Sequence, residues 1–143
     1  MKAILLAAGK GERFFPWNVF RPKPMFPICN RPILEWLLDR TVSAGITEIA
    51  MVIGHRGGRV RNHFGDGGQF GCSITYIDQT EPKGTAHAVC CAADYIGSDD
   101  FLVAYGDTFF GPRAFVQVLE AFKESHSGVA AVCHSDSLER HTQ

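Results

Sequence analysis

The sequence predicts an α/β fold: a three-layer, mostly parallel sheet with helices on both faces. Three observations carry that prediction. Apolar runs of strand length recur between segments with helical periodicity, the alternation expected of a parallel sheet with crossover helices. The runs are mostly continuous rather than alternating, as in strands covered on both faces. Glycine- and proline-rich breaks punctuate the alternation.

The elements follow in chain order. Ala3–Ala7 reads as a buried strand that breaks at Gly9-Lys10-Gly11. An irregular segment from Gly9 to Arg31 follows, restrained by Pro16, Pro22, Pro24 and Pro27, and loops of that length in compact domains are usually functional. Pro32 stands at the start of a helix whose positions Ile33, Leu34, Leu37, Leu38 and Thr41 keep the 3.6 period, and Gly45 ends it. Ile49–Ile53 is the second strand. Val60 and Phe64 mark a short helix before the turn Gly65-Asp66-Gly67-Gly68. Ile74–Ile77 is the third strand, and alanine-rich Thr85 to Asp94 is helix-compatible. Phe101–Tyr105 is the fourth strand. Phe115, Val118, Leu119 and Phe122 form the clearest amphipathic stripe, and Val129–Cys133 reads as a fifth, central strand.

Composition bounds the function. The 143 residues suit one domain, spanning 1–143, with a sizeable core. A formal net charge of −1 argues against a broad basic face and hence against non-specific nucleic-acid binding. The opening apolar run is too short for a signal-peptide core, no run reaches membrane-span length, and a cytoplasmic protein is expected. Cys29, Cys72, Cys90, Cys91 and Cys133 form no CxxC pair and read as reduced core thiols, with Cys90 and Cys91 as helix packing residues. His55 and His87 read as structural positions, and neither histidines nor cysteines show metal-ligand spacing.

Ligands of open parallel sheets bind beyond the carboxyl ends of the strands. Three loops with unusual chemistry fall there: Gly9 to Arg13, Gln79 with Gly84, and Gly106-Asp107. The first joins a glycine turn to the cations Arg13, Arg21 and Lys23, an arrangement suited to a phosphate chain. It is not the dinucleotide fingerprint, because Phe14 occupies the place of the third glycine and no acidic ribose partner follows. It is not a P-loop either, since no Gly-Lys-Ser/Thr closes a glycine frame.

Leu6-Ala7-Ala8-Gly9-Lys10-Gly11-Glu12-Arg13, then Pro16, Arg21-Pro22-Lys23-Pro24 and Pro27, resembles the signature of the sugar-1-phosphate nucleotidyltransferases. The resemblance continues through Asn30-Arg31-Pro32-Ile33-Leu34, Gln79, Gly84-Thr85-Ala86 and Gly106-Asp107, to about Cys133. It implies a Rossmann-like sheet of the nucleotide-diphospho-sugar transferase type and transfer of a nucleotidyl group from UTP or dTTP to glucose-1-phosphate or N-acetylglucosamine-1-phosphate, releasing pyrophosphate. Cytidylyl and molybdopterin transferases open similarly, but Lys23 within Arg-Pro-Lys-Pro and the Gly84-Thr85-Ala86 loop favour the sugar branch.

By the same resemblance, Arg13, Lys23 and Asp107 are the catalytic residues. Leu6, Ala8, Gly9, Gly11, Gln79, Gly84 and Thr85 bind nucleotide, with Gln79 and Gly84 reading a uracil or thymine. The amide of Gln79 is expected to pair with both a carbonyl and an N–H of the base. Asp107 holds Mg²⁺; its duller role would be to cap the helix that Pro112 opens. Glu12 stands where the family carries threonine or serine and is expected to point to solvent, and Asn18 also replaces a threonine.

The family draws sugar recognition and a second metal-binding aspartate from a later segment. The chain to Gln143 is therefore expected to be the nucleotide-binding portion, truncated on its C-terminal side, with an exposed sheet edge open to a second copy. The rival expectation from the same gap is a non-catalytic nucleotide-binding remnant or partner-binding module.

Overall fold

In the computed structural model, which describes residues 1–54, 56–125 and 127–132, the chain forms two units, Met1–Phe110 and Gly111–Gln143. The first unit begins with β1 (Lys2–Ala7), followed by short 3-10 turns at Glu12–Phe14, Trp17–Val19 and Lys23–Met25. A hairpin of β2 (Pro27–Ile28) and β3 (Arg31–Pro32) leads into α1 (Ile33–Ser43). Then come β4 (Glu48–Ile53), α2 (Gly57–Phe64), β5 (Ser73–Asp78), α3 (Thr85–Cys91), α4 (Ala93–Ile96) and β6 (Phe101–Tyr105). The second unit contributes α5 (Ala114–Ser125), which carries the expected stripe.

The main sheet is wholly parallel, in the order β5-β4-β1-β6. Pairing sets Ile4 beside Ala50 and Leu6 beside Val52, so these side chains share one face. Ile4, Ala8 and Val52 there form a buried cluster with Ala88, Ala92 and Ile96 of the α3–α4 segment. On the other face, α2 comes so close to β4 that a Cβ at Gly57 would lie 2.7 Å from Ile53 Cδ1. In α1, Leu34, Leu37, Leu38 and Thr41 are the buried residues, matching the periodicity that predicted the helix.

Differences from the sequence reading have local causes. Burial is nearly continuous in β1, where only Lys2 and Leu6 are half-buried, and in β4 after Glu48, both with a neighbour on each side, but β6 alternates, leaving Phe101, Val103 and Tyr105 exposed. Residues 129–132 are not strand: an apolar run becomes one only when a neighbour pairs its backbone, and the sheet holds no strand from this stretch. Cys133 lies outside the described residues. The irregular segment is more ordered than expected, because Cys29 and Asn30, with φ of 49° and 63°, close a two-residue hairpin turn. Cys29 and Cys90 are exposed, and Cys72 and Cys91 half-buried, so these are not core thiols. The buried stripe of α3 and α4 runs through Ala88, Ala92 and Ile96, and Cys90 falls off it.

Candidate functional site

The strand order reverses direction beside β1: β4 and β5 extend the sheet one way and β6 is added on the other. Such a switch point opens a crevice outside the carboxyl ends of the strands. The glycine loop after β1 and the Gly106-Asp107 step after β6 therefore flank the same crevice. A cavity of about 900 Å³ occupies it. Leu6, Ala8, Gly9, Gly11, Arg13, Lys23, Gln79, Gly84, Thr85 and Asp107 all line it. All ten site residues proposed from sequence are thus brought together.

Backbone packing fixes the approach to each. Gly106 N–H donates to Leu6 O at 2.8 Å, and a Cβ on Gly106 would stand 2.7 Å from that oxygen. Only glycine lets β6 continue this close to β1 and deliver Asp107 to the cavity. Gly11 adopts φ 61°, and a Cβ there would meet Lys23 Cβ at 3.4 Å. Gly9 has open space where a Cβ would be, leaving its backbone accessible on the cavity wall. Lys23 is held between the buried prolines Pro22 and Pro24, at the start of a turn closed by Met25 N–H to Pro22 O at 2.8 Å. Phe14 stacks edge-on against Phe26 at 4.5 Å, tying the glycine loop to the segment that enters the hairpin.

The charges are arranged in pairs. Lys23 Nζ donates to Asp107 Oδ2 at 2.6 Å, with both side chains partly exposed. This accounts for the Asp107 carboxylate without a capping role, and the next helix begins only at Ala114. Lys10 Nζ lies 4.0 Å from Glu12 Oε1; the Glu12 side chain is 80% exposed, but it lines the cavity rather than turning away from it. Asn18 Nδ2 reaches Lys10 O at 3.4 Å, which steadies the same loop. With Lys10, Arg13 and Lys23 against Glu12 and Asp107, the lining carries one more cation than anion.

At the other end, Gln79 is anchored by its backbone N–H to Ile53 O at 2.7 Å. Its side chain bonds to Gly84 O and to His87. Gly84 takes φ 94° to turn the chain into α3. Sequence reasoning left several contributors unassigned: Lys10, Phe14, Pro24, Pro82, Ala88 and Tyr105 also line the cavity. Tyr105 was legible only as a strand residue, and its place beside Leu6 comes from the sheet register. His87, read as structural, contacts a lining side chain directly. His55 lies outside the described residues.

Among the described residues, no cluster of three or more His, Cys, Asp or Glu could hold a metal ion. The carboxylate of Asp107 on the cavity wall is of the kind that suits Mg²⁺, which keeps several waters and is held by one or two carboxylates together with substrate phosphates. No helix among the described residues is long and apolar enough to cross a membrane.

Residues 2–143 match the family model described as nucleotidyl transferase. The chain is 40% identical over 129 residues to the low-salt glycan biosynthesis nucleotidyltransferase Agl11 of Haloferax volcanii, covering 90% of this chain and 36% of that protein. It is 42% identical over 109 residues to a glucose-1-phosphate thymidylyltransferase of Streptomyces antibioticus, covering 76% of this chain and 31% of the relative. Among solved structures, one described as a glucose-1-phosphate thymidylyltransferase of Bacillus anthracis, in complex with sucrose, superposes with a TM-score of 0.81 at 30% identity. That match covers 87% of this chain and 51% of the other. The chain thus spans about half the length, or less, of these relatives.

Proposed function

The chain belongs to the nucleotidyl transferase family, and from that premise we propose that its cavity binds a pyrimidine nucleoside triphosphate for transfer to a sugar 1-phosphate. The preferred nucleotides are UTP and dTTP, and the acceptors are glucose-1-phosphate or N-acetylglucosamine-1-phosphate. The observation that carries the reading is the convergence of Gly9, Gly11, Arg13, Lys23, Gln79, Gly84 and Asp107 on one cavity at the switch point of the sheet.

The residues divide the work by chemistry. The exposed backbone at Gly9 and Gly11 lets the phosphate chain approach the end of β1 without side-chain obstruction. Arg13 and Lys23 hold phosphate oxygens and offset the charge that develops as pyrophosphate departs. Gln79 and Gly84 lie where a base would be read. A bound Mg²⁺, held by Asp107 and phosphate oxygens, would neutralise oxyanion charge and align the α-phosphorus. The acceptor's phosphate oxygen then forms the new bond to the α-phosphorus as the bond to the β-phosphate oxygen breaks, and pyrophosphate takes the electron pair. An anionic phosphate is already the nucleophile, so no base need deprotonate it. Relatives matched by sequence are transferases, which favours this reading over a non-catalytic module.

Calorimetric titration with UTP, dTTP, ATP and GTP, with and without Mg²⁺, tests the proposal. Saturable binding of a pyrimidine triphosphate that weakens in Lys23→Ala supports it. Equal binding of all four nucleotides, or none, rejects it.

A further inference from the structure

The side-chain amide of Gln79 is held twice. Its Nε2 lies 3.1 Å from Gly84 O and 2.9 Å from His87 Nδ1. A backbone carbonyl only accepts, so the Gln79 atom facing Gly84 O must be the NH₂ group. That contact identifies which end of the amide is the NH₂ group, and the bond to His87 holds the same end a second time. One of its two hydrogens goes to Gly84 O and the other to His87. The Nδ1 of His87 therefore accepts, and the ring carries its proton on Nε2. Cys91 Sγ, one turn along α3, is 3.9 Å from the same nitrogen, a much weaker contact. Both donors of Gln79 are spent inside the protein. Its Oε1 is the polar atom left for a ligand, and it can only accept.

We propose that His87 is a positioning residue for base recognition, locking the Gln79 amide so that its carbonyl oxygen alone meets the nucleobase. This rests on the reading of Gln79 as a base contact and narrows it. The sequence-based expectation that the amide pairs with both a carbonyl and an N–H of the base is replaced by one acceptor contact. A uracil or thymine ring offers N3–H to that oxygen. Cytosine has a lone pair at the same ring position, and two acceptors facing each other repel. Accommodating cytosine would require the amide to flip, setting Oε1 against Gly84 O and forcing the His87 ring to move its proton to Nδ1. Rejection by leaving buried polar groups unpaired is a strong form of discrimination.

The surroundings make the lock rigid. Gln79 is 9% exposed, and its backbone is pinned to the end of β4 through Ile53 O. His87 precedes Ala88, which is buried in the core cluster beneath α3 and fixes the helix against the sheet.

The test is calorimetric titration of the full chain with UTP and with CTP, at fixed Mg²⁺, for wild type, His87→Asn, His87→Phe and His87→Leu. Asparagine can set an amide oxygen where Nδ1 stands, so His87→Asn keeps the wild-type ratio of UTP to CTP affinity. Phenylalanine keeps the ring shape without an acceptor, and leucine removes both. Each is expected to compress the ratio about tenfold, the effect of one hydrogen bond left unmade. A merely structural defect lowers both affinities together and leaves their ratio intact. A wild-type ratio in the folded His87→Phe or His87→Leu protein overturns the assignment of His87. So does a wild-type chain that binds both nucleotides equally. Failure of the wild type to bind either would instead reject the underlying nucleotide reading, and this inference with it.

Discussion

Lys23 and Asp107, 84 residues apart in sequence, meet at 2.6 Å between Nζ and Oδ2 on the wall of the candidate site. Their side chains are 43% and 33% exposed, so the pair stabilises the fold by less than about 1 kcal/mol. Under the proposed function, the cation would turn to phosphate and the carboxylate to metal when a triphosphate enters.

That division predicts a separation of activity from stability. Lys23→Ala and Asp107→Ala should each lower pyrophosphate release by about 10²- to 10³-fold, the usual cost of one preorganised charge-stabilising group. Melting temperatures should stay within a few degrees of wild type. Wild-type turnover in both variants would mean that the site is elsewhere.

Gly106→Ala, by contrast, should cost stability. The added Cβ would stand 2.7 Å from Leu6 O and 3.3 Å from Leu34 Cδ1, and a backbone carbonyl in a central strand cannot retreat cheaply. A loss of about 1–3 kcal/mol is expected in urea denaturation, typical of overpacking. An unchanged midpoint would show that the β1–β6 junction is looser than this packing implies.

These two sites also mark what could be read from sequence. The strands β1 and β4 were legible because each is apolar after its first residue, the pattern of a strand buried on both faces. The cavity was legible because its glycines and charges fall just past predicted strand ends, where the topology alone gathers them. Residues 129–132 were misjudged because apolarity cannot specify a pairing partner. The Cys29-Asn30 turn was missed because it lacks the usual Asn-Gly pair, although Asn30 tolerates positive φ. The contact between His87 and Gln79 was not legible because it depends on how α3 is set beside the end of β5, which spacing does not encode.

Metal removal gives a binding prediction independent of turnover. On the proposal that Mg²⁺ is held by Asp107 and phosphate oxygens, chelation should weaken UTP binding in the wild type. In Asp107→Asn the titrations with and without Mg²⁺ should nearly coincide, because the anionic ligand is gone while the side-chain shape remains. A full Mg²⁺ effect in that variant would remove Asp107 from the metal's ligands.

Glu35 supplies a pH prediction away from the chemistry. Burial pushes its carboxyl up, but hydrogen bonds from His63 and Arg31, with the charge of Arg31, outweigh burial and hold it below the usual glutamate range. The contacts are 2.8 Å each, to Nε2 of His63 and Nε of Arg31, and they tie the hairpin, α1 and α2 together. A carboxyl depressed in the folded state stabilises the fold above its unfolded value, near about 4.3, and loses that contribution as pH falls through the folded value. Wild type should therefore exceed Glu35→Gln by about 1 kcal/mol between about pH 5 and neutrality, a modest figure because Arg31 is partly exposed. The gap should close as the pH drops toward about 3. Urea denaturation of both proteins at stepped pH measures it. A gap that persists undiminished in acid would mean that Glu35 acts through packing rather than through its charge.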